Sequence, residues 1–125
     1  MKVILYSTIL ILLNASNCST EKDFKGIKFG DGGGFTGAVT TYEIKTNGDV
    51  FKDDKKTKTV EASELKTIQK KIDKLSNESL KFNHPFNMYY FIEIDKNKIV
   101  WGDPAFPEPS DIKELYSELQ KISHP

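Results

Sequence analysis

The chain has 125 residues, a length that corresponds to one domain. Hydrophobic residues make up 38% and charged residues 29%, and 18 basic residues balance 18 acidic ones. This composition excludes a collagen, a polytopic membrane protein and a highly charged disordered tail. All 18 basic residues are lysines. Because nucleic-acid binders normally carry a basic excess and arginine forks, we expect no nucleic-acid partner.

The N-terminus has the form of a secretory signal peptide, and the pattern places it over residues 1–17. Lys2 precedes a mainly apolar run of 11 residues, Val3 to Leu13, and a polar stretch follows. A membrane-spanning helix needs about 20 apolar residues, so this run is too short to span stably. The alternative interpretation is that the run forms a buried strand or helix of the domain.

Cys18 is the only cysteine and lies five residues beyond the apolar run. It therefore has no internal disulfide partner. The segment Leu13 to Ser19 resembles the lipobox of bacterial lipoproteins, although Ala15 and Asn17 depart from the residues usual there. The resemblance implies that Cys18 becomes the first mature residue, carries acyl chains such as palmitate, and joins the domain through a polar tether, 18–25. The membrane partner would then be the outer membrane of the cell envelope. A conventional cut near Ala15 or Asn17 would instead give a periplasmic or secreted protein.

Residues 26–125 predict a single α+β domain. The first predicted elements are a short strand at 27–29, a glycine-rich loop at 30–37, a strand at 38–46 and a return strand at 49–57. Asn47-Gly48 is a strong hairpin signal, and a two-residue loop there would place Ile44 opposite Phe51.

Two amphipathic helices are predicted, at 61–76 and 110–122. The apolar stripe of the first consists of Leu65, Ile68, Ile72 and Leu75. That of the second consists of Ile112, Leu115, Tyr116, Leu119 and Ile122. Asp111 and Glu114 have the spacing of a capping box at the start of the second helix.

A second hairpin is predicted between the helices. Residues 88–95 alternate in hydrophobicity, and a turn at Lys96-Asn97 would place Ile92 opposite Trp101. The predicted order is βββαββα: an antiparallel sheet of four to five strands with both helices packed on one face. Such a fold does not define a function.

Two segments are candidate contact surfaces. The first is the glycine-rich loop, whose residues Gly32, Gly33, Gly34, Phe35 and Thr36 fall within a formal G-x-G-x-x-G match. A dinucleotide site needs that motif between a strand and a helix, whereas here a strand follows, so we reject that interpretation. The loop is then either a simple connection or a surface that presents Phe35 and Thr36 to a partner. The second candidate is the proline-rich segment with Trp101, Asp103 and Phe106, which is either a spacer or a second contact loop.

No catalytic, metal or cofactor motif is recognisable. The two histidines, His84 and His124, are far apart in sequence, and a zinc site needs three or four clustered ligands. No G-x-S-x-G element is present. Asp31 and Asp53-Asp54 could bind a cation weakly, but Lys55-Lys56 follows the pair and favours self-neutralised surface charge. We therefore expect no enzyme; a small hydrolase using His84 or carboxylates is the weakest alternative.

Beyond the signal, three features resemble small lipoproteins of Bacteroidota that have no known activity. They are the Gly32 to Gly37 segment, the Asn47-Gly48 hairpin and Trp101-Gly102-Asp103. The resemblance implies an envelope lipoprotein and transfers no catalytic residue. The sequence thus predicts a membrane-anchored, non-enzymatic binding module with an envelope protein or a glycan as partner. The alternative is an inhibitor or immunity-type protein directed against an envelope hydrolase.

Overall fold

The structure, a computed structural model, describes residues 24–124. The predicted signal peptide, Cys18 and most of the tether lie outside these described residues. Within them, the strands are β1 (Ile27–Gly33), β2 (Val39–Ile44), β3 (Asp49–Lys52), β4 (Lys55–Thr59), β5 (Met88–Ile94) and β6 (Asn97–Trp101). The helices are α1 (Ala62–Asp73), α2 (Asn77–Leu80) and α3 (Ser110–Ser123).

All strands join one antiparallel sheet in the order β4-β3-β2-β1-β5-β6. The α+β class and the antiparallel sheet are confirmed, but the sheet has six strands rather than four to five, and α2 is a third helix. The extra strand arises because a turn divides the predicted return strand. Asp53 and Asp54 both have positive φ, 47° and 67°, and this conformation suits a two-residue hairpin loop.

The predicted register of the β2–β3 hairpin was wrong by one residue. The Lys45 amide donates to the Asp49 carbonyl at 2.8 Å, and the Gly48 amide donates to the Lys45 carbonyl at 3.0 Å. Gly48, with φ 94°, therefore ends a three-residue loop as a bulge. The additional loop residue places Val50, not Phe51, opposite Ile44 on the buried face.

The β5–β6 turn also differs from the prediction. Ile94 pairs with Asn97, so the turn consists of Asp95 and Lys96, and Trp101 lies opposite Tyr90 instead of Ile92. A shift of two residues keeps every side chain on its predicted face, because side chains alternate with period two. Trp101 accordingly remains in the core.

Half of the predicted glycine-rich loop is strand. β1 continues to Gly33, where sequence reasoning ended it at Phe29. Gly30 and Gly32 pair with Phe91 and Tyr89 of β5, and a Cβ at either glycine would collide with these rings or with β2. These glycines therefore leave room for aromatic rings to lie across β1, a known way to stabilise glycine in a sheet.

The helices cover one face of the sheet. Both predicted apolar stripes pack into one core with the inward residues of the strands, as predicted. The capping-box prediction at Asp111 was wrong: α3 begins after Pro109 with no side-chain cap. Instead, the Asp111 carboxylate accepts hydrogen bonds from the Ser79 hydroxyl, at 2.7 and 2.8 Å, and from the Ser76 amide at 3.1 Å. Asp111 thus joins α3 to the start of α2.

The two edges of the sheet differ. At β6, the segment 82–84 continues the sheet. The His84 amide donates to the Val100 carbonyl at 2.9 Å, and the Val100 amide donates to the Phe82 carbonyl at 3.0 Å. At the other edge, β4 carries Lys55, Lys56 and Lys58 within five residues. Lysines at an edge oppose pairing with another strand.

Candidate binding surface

One end of the sheet gathers the loops that sequence analysis singled out. β1 and β6 end there and β2 and β5 begin there, so the loops around Phe35, Asn87 and Asp103 meet. The Gly34 amide donates to the Asn87 carbonyl at 2.8 Å, and the Asp103 amide donates to the His84 carbonyl at 3.1 Å. We call this end of the molecule the loop end.

The loop end carries most of the exposed apolar side chains. Five of the six large hydrophobic residues that are exposed within residues 24–124 belong to it, and we call them the loop-end patch: Phe35, Val39, Phe86, Met88 and Phe106. The sixth, Tyr90, lies next to the patch on the helix side. Exposed apolar groups gathered at one end of a domain often mark an interaction site.

Phe35 is the most exposed member of the patch, with a relative exposure of 112%. It lies between Gly34 and Gly37, whose φ values of 77° and 64° bend the β1–β2 loop, and no atom lies within 4 Å of a Cβ built at either glycine. The Ala38 amide donates to the Thr36 hydroxyl oxygen at 3.3 Å and closes the loop. A phenylalanine in this position forgoes about 1.5–3 kcal/mol of burial.

Phe106 belongs to a packed aromatic stack. Its ring centroid lies 4.2 Å from that of His84 at an interplanar angle of 11°, and the Phe82 ring meets His84 edge-on with centroids 4.7 Å apart. Asp103 fixes the turn, since its carboxylate accepts from the Ala105 amide at 2.9 Å and its carbonyl from the Phe106 amide at 3.0 Å. His84 lies outside the helices and strands, and its ring stacks on that of Phe106.

The predicted contact residues occupy different environments at this end. Gly34, Phe35 and Thr36 form the loop, and Asp103 and Phe106 form the turn after β6. Gly32, Gly33 and Trp101 instead belong to strands, and Gly32 and Trp101 are buried. Sequence reasoning missed Val39, Phe86 and Met88 as surface residues. Met88 continues the alternation of the buried residues of β5, and no sequence signal shows that the helices stop short of it.

A groove adjoins the patch on the helix side. It has a volume of 360 Å³ and is bounded by Tyr90 and Trp101 of the sheet, by Glu108, and by four residues of α3: Lys113, Tyr116, Ser117 and Gln120. The three aromatic rings contact one another, with centroids 5.0–5.9 Å apart. The Tyr116 hydroxyl donates to the Gly30 carbonyl at 3.3 Å. Burial, and next the negative charge of Asp31, raise the pKa of Tyr116 well above its usual range.

Within residues 24–124, the structure brings together no group of three or more histidine, cysteine, aspartate or glutamate side chains that could hold a metal. Asp53, for which cation binding was the less favoured interpretation, accepts a hydrogen bond from the Thr41 amide at 3.0 Å and supports its turn. Over the same residues, the helices are too short or too polar to cross a membrane.

Comparison with known proteins gives no family: no family model matches the chain, and no curated protein is significantly similar to it. A helix-covered antiparallel sheet supports many unrelated functions, so function has to be argued from the surface features.

Proposed function

We propose that the chain is a non-enzymatic binding module that holds a partner protein through the loop-end patch. The observation that carries this proposal is the concentration of exposed apolar side chains at one end of the sheet. Phe35, Phe86 and Phe106 are aromatic, the side-chain class that supplies large contact area with few rotatable bonds. Interfaces draw most of their binding energy from a few such anchors.

The patch is also pre-organised. The stack of Phe106 on His84 and the hydrogen bond from Gly34 to Asn87 tie its loops to each other. Ordering loops on binding costs free energy, so loops that are already fixed leave more of the contact energy for affinity. Phe35, on its short glycine-flanked loop, is then the residue that first meets a partner.

The position of the N-terminus fits a surface-anchored module. Residue 24 precedes β1 at the end of the sheet opposite the loop end, because β1 runs from Ile27 to Gly33 towards Phe35. If Cys18 carries lipid, the tether enters the described domain at the end opposite the patch. The patch would then face away from the membrane, where it can meet other envelope proteins.

Site-specific photo-crosslinking tests this proposal directly. The full chain, with a photoreactive phenylalanine analogue in place of Phe35, is irradiated in envelope extract, and the crosslinked proteins are identified by mass spectrometry. The matched control places the same analogue at Phe51, a half-buried aromatic residue of β3 away from the loop end. We expect one dominant partner at position 35 that is absent at position 51, and Phe35→Ser to abolish its capture. Equal crosslinking at both positions would refute the proposal.

A narrower form of the same proposal is an inhibitor or immunity-type protein. A fully exposed phenylalanine on a short loop has a shape that can enter an enzyme cleft. If the crosslinked partner is a hydrolase, purified protein should inhibit it and Phe35→Ser should not. If the hydrolase remains fully active in the complex, the binding role stands and the inhibitory role is wrong.

A further inference from the structure

The groove beside Tyr90 has one exposed aromatic platform on a buried aromatic support. Tyr90 is 37% exposed, whereas Trp101 and Tyr116 are 4% and 9% exposed. Tyr90 stacks on Trp101 at 5.9 Å and 25°, and Tyr116 meets both rings edge-on. Its neighbours thus fix the orientation of the Tyr90 ring, which a ligand can contact without reorganising the core.

The rim of the groove supplies hydrogen-bonding groups of every kind. Glu108 offers a carboxylate, Lys113 an ammonium group, Ser117 a hydroxyl and Gln120 an amide. The ion pairs found among residues 24–124 involve neither Glu108 nor Lys113. Both charged groups therefore remain available to a ligand.

This combination selects for a particular ligand chemistry. Glu108 and Lys113 carry opposite charges, and the negative charge of Asp31 acts on Tyr116 beside them, so the groove disfavours an anion. A cation is the alternative occupant that the last measurement below separates from a sugar. A pyranose sugar has an apolar C–H face that packs on an aromatic ring and a rim of hydroxyls that both donate and accept. In the gluco configuration the hydroxyls are equatorial, so both faces expose only C–H groups, and a β1→4 linkage keeps successive rings nearly flat.

We propose that the groove between Tyr90 and α3 binds a β-linked gluco-configured disaccharide unit. Its volume of 360 Å³ lies at the small end of the range of about 300–1,000 Å³ typical of ligand sites. One ring packs on Tyr90, and its hydroxyls bond to Glu108, Lys113 and Gln120. This glycan site is separate from the protein-binding role of the loop-end patch and does not depend on it.

Trp101 makes the site easy to monitor, because it is the only tryptophan of the chain and its ring stacks against that of Tyr90. The full chain is titrated with cellobiose, and tryptophan fluorescence is recorded together with calorimetry. We expect saturable binding that changes the fluorescence, and weaker binding of the α-linked isomer maltose. Absence of saturable cellobiose binding by both methods overturns the proposal.

Two variants locate the binding. Tyr90→Leu removes the platform and should weaken cellobiose binding about tenfold or more, while the matched control Tyr89→Leu changes the next residue, on the opposite face of β5, and should have little effect. Glu108→Gln keeps the size of a surface side chain and should weaken binding about threefold to tenfold. Cellobiose binding that survives both Tyr90→Leu and Glu108→Gln lies elsewhere and overturns the proposal.

Further measurements distinguish the proposed glycan from other ligands of the groove. Phe35→Ser should leave cellobiose binding unchanged, even if it abolishes protein capture, so failure of one proposal does not decide the other. Nα-acetyl-lysine N-methylamide, whose side-chain ammonium group is free, serves as a probe for a basic side chain of a partner. If that probe saturates the groove and cellobiose does not, the site recognises a protein cation and the glycan assignment is wrong.

Discussion

The ring of Phe91 lies against Gly30, the residue paired with it on the neighbouring strand. A Cβ built on Gly30 would come within 3.2 Å of the Phe91 ring and 1.9 Å of the Thr40 carbonyl oxygen. Phe91 is buried although it lies on the face that the helices leave open, and the Lys98 ammonium lies 5.4 Å from its ring centroid. Gly30 therefore makes possible a small aromatic layer on the face opposite the main core.

This contact predicts that Gly30→Ala destabilises the domain by about 1–3 kcal/mol, because the added methyl group has to displace backbone. Urea unfolding followed by circular dichroism measures the loss. Gly34→Asn is the matched control: its site has open space, and asparagine tolerates positive φ, so the change should cost less than about 1 kcal/mol. Equal losses for the two variants would contradict the role of Gly30.

The β2–β3 register predicts a contrast between neighbouring residues. Val50 is fully buried opposite Ile44, whereas Phe51 is half-buried on the other face. Val50→Ala should therefore cost about 1–3 kcal/mol of unfolding free energy, and Phe51→Ala should cost less despite removing a larger side chain. If Phe51→Ala cost more unfolding free energy than Val50→Ala, the result would favour the two-residue loop that sequence analysis predicts.

Asp111 predicts a pH-dependent contribution to stability. Burial works to raise the pKa of this carboxyl, but the hydrogen bonds from Ser79, Ser76 and Ile112 outweigh burial and hold the pKa below its usual value. A depressed folded-state pKa stabilises the fold above the unfolded-state pKa of about 3.9, and the contribution is lost as pH falls through the lower folded value.

Asp111→Asn should consequently cost roughly 1 kcal/mol near neutral pH, similar to the loss of a helix cap. The difference from the unmodified protein should shrink as the pH falls below about 4. Unfolding free energies measured from pH 3 to 7 test both statements. Glu114→Gln, an exposed change on the same helix, is the control, and its unfolding free energy should not converge with that of the unmodified protein at low pH. If the difference caused by Asp111→Asn is the same at every pH, the carboxylate acts through its shape and not through its charge.

The lipobox resemblance predicts that Cys18→Ser moves the protein from the membrane fraction to the soluble fraction. Two or more acyl chains hold a protein on a membrane, whereas one chain alone anchors it only marginally. Fractionation of cells labelled with a palmitate analogue measures both retention and label. Ser19→Ala is the control and should remain labelled. Membrane retention of an unlabelled Cys18→Ser variant would favour the apolar run 3–13 as the anchor.

Sequence patterns predicted α1, α3 and the buried faces of β5 and β6, because burial imposes strict periodicity on residues such as Ile68, Leu115 and Ile92. The short helix α2 and the buried face of β3 were not predicted. The lengths and positions of the turns were harder to predict. Asn47-Gly48 suits either a two-residue or a bulged three-residue loop, and local sequence alone does not distinguish them. Asp53-Asp54 lacks the glycine that usually marks a tight hairpin, so the turn between β3 and β4 gave no recognisable signal.

Sequence patterns predicted only part of the candidate binding surface, because they describe local structure. Phe35 and Phe106 stand among glycines and prolines, where exposure is a natural inference. Met88 and Tyr90 follow the same alternation as the buried Ile92, and their exposure depends on where α3 crosses the sheet. That crossing is a long-range relationship between segments 20 or more residues apart, and local patterns do not contain it.

The lysine-bearing strand β4 bears on how copies of this domain behave when crowded. Within residues 24–124, a bridge at Val100 continues the β6 edge, whereas no strand pairs with the outer side of β4. Lys56 pairs with Asp49 at 3.3 Å, whereas Lys55 and Lys58 leave positive charge on that edge, so two β4 strands brought together repel each other over a distance of about 10 Å at ordinary salt. High salt would weaken this repulsion. The domain should therefore associate through β4 more readily as the salt concentration rises.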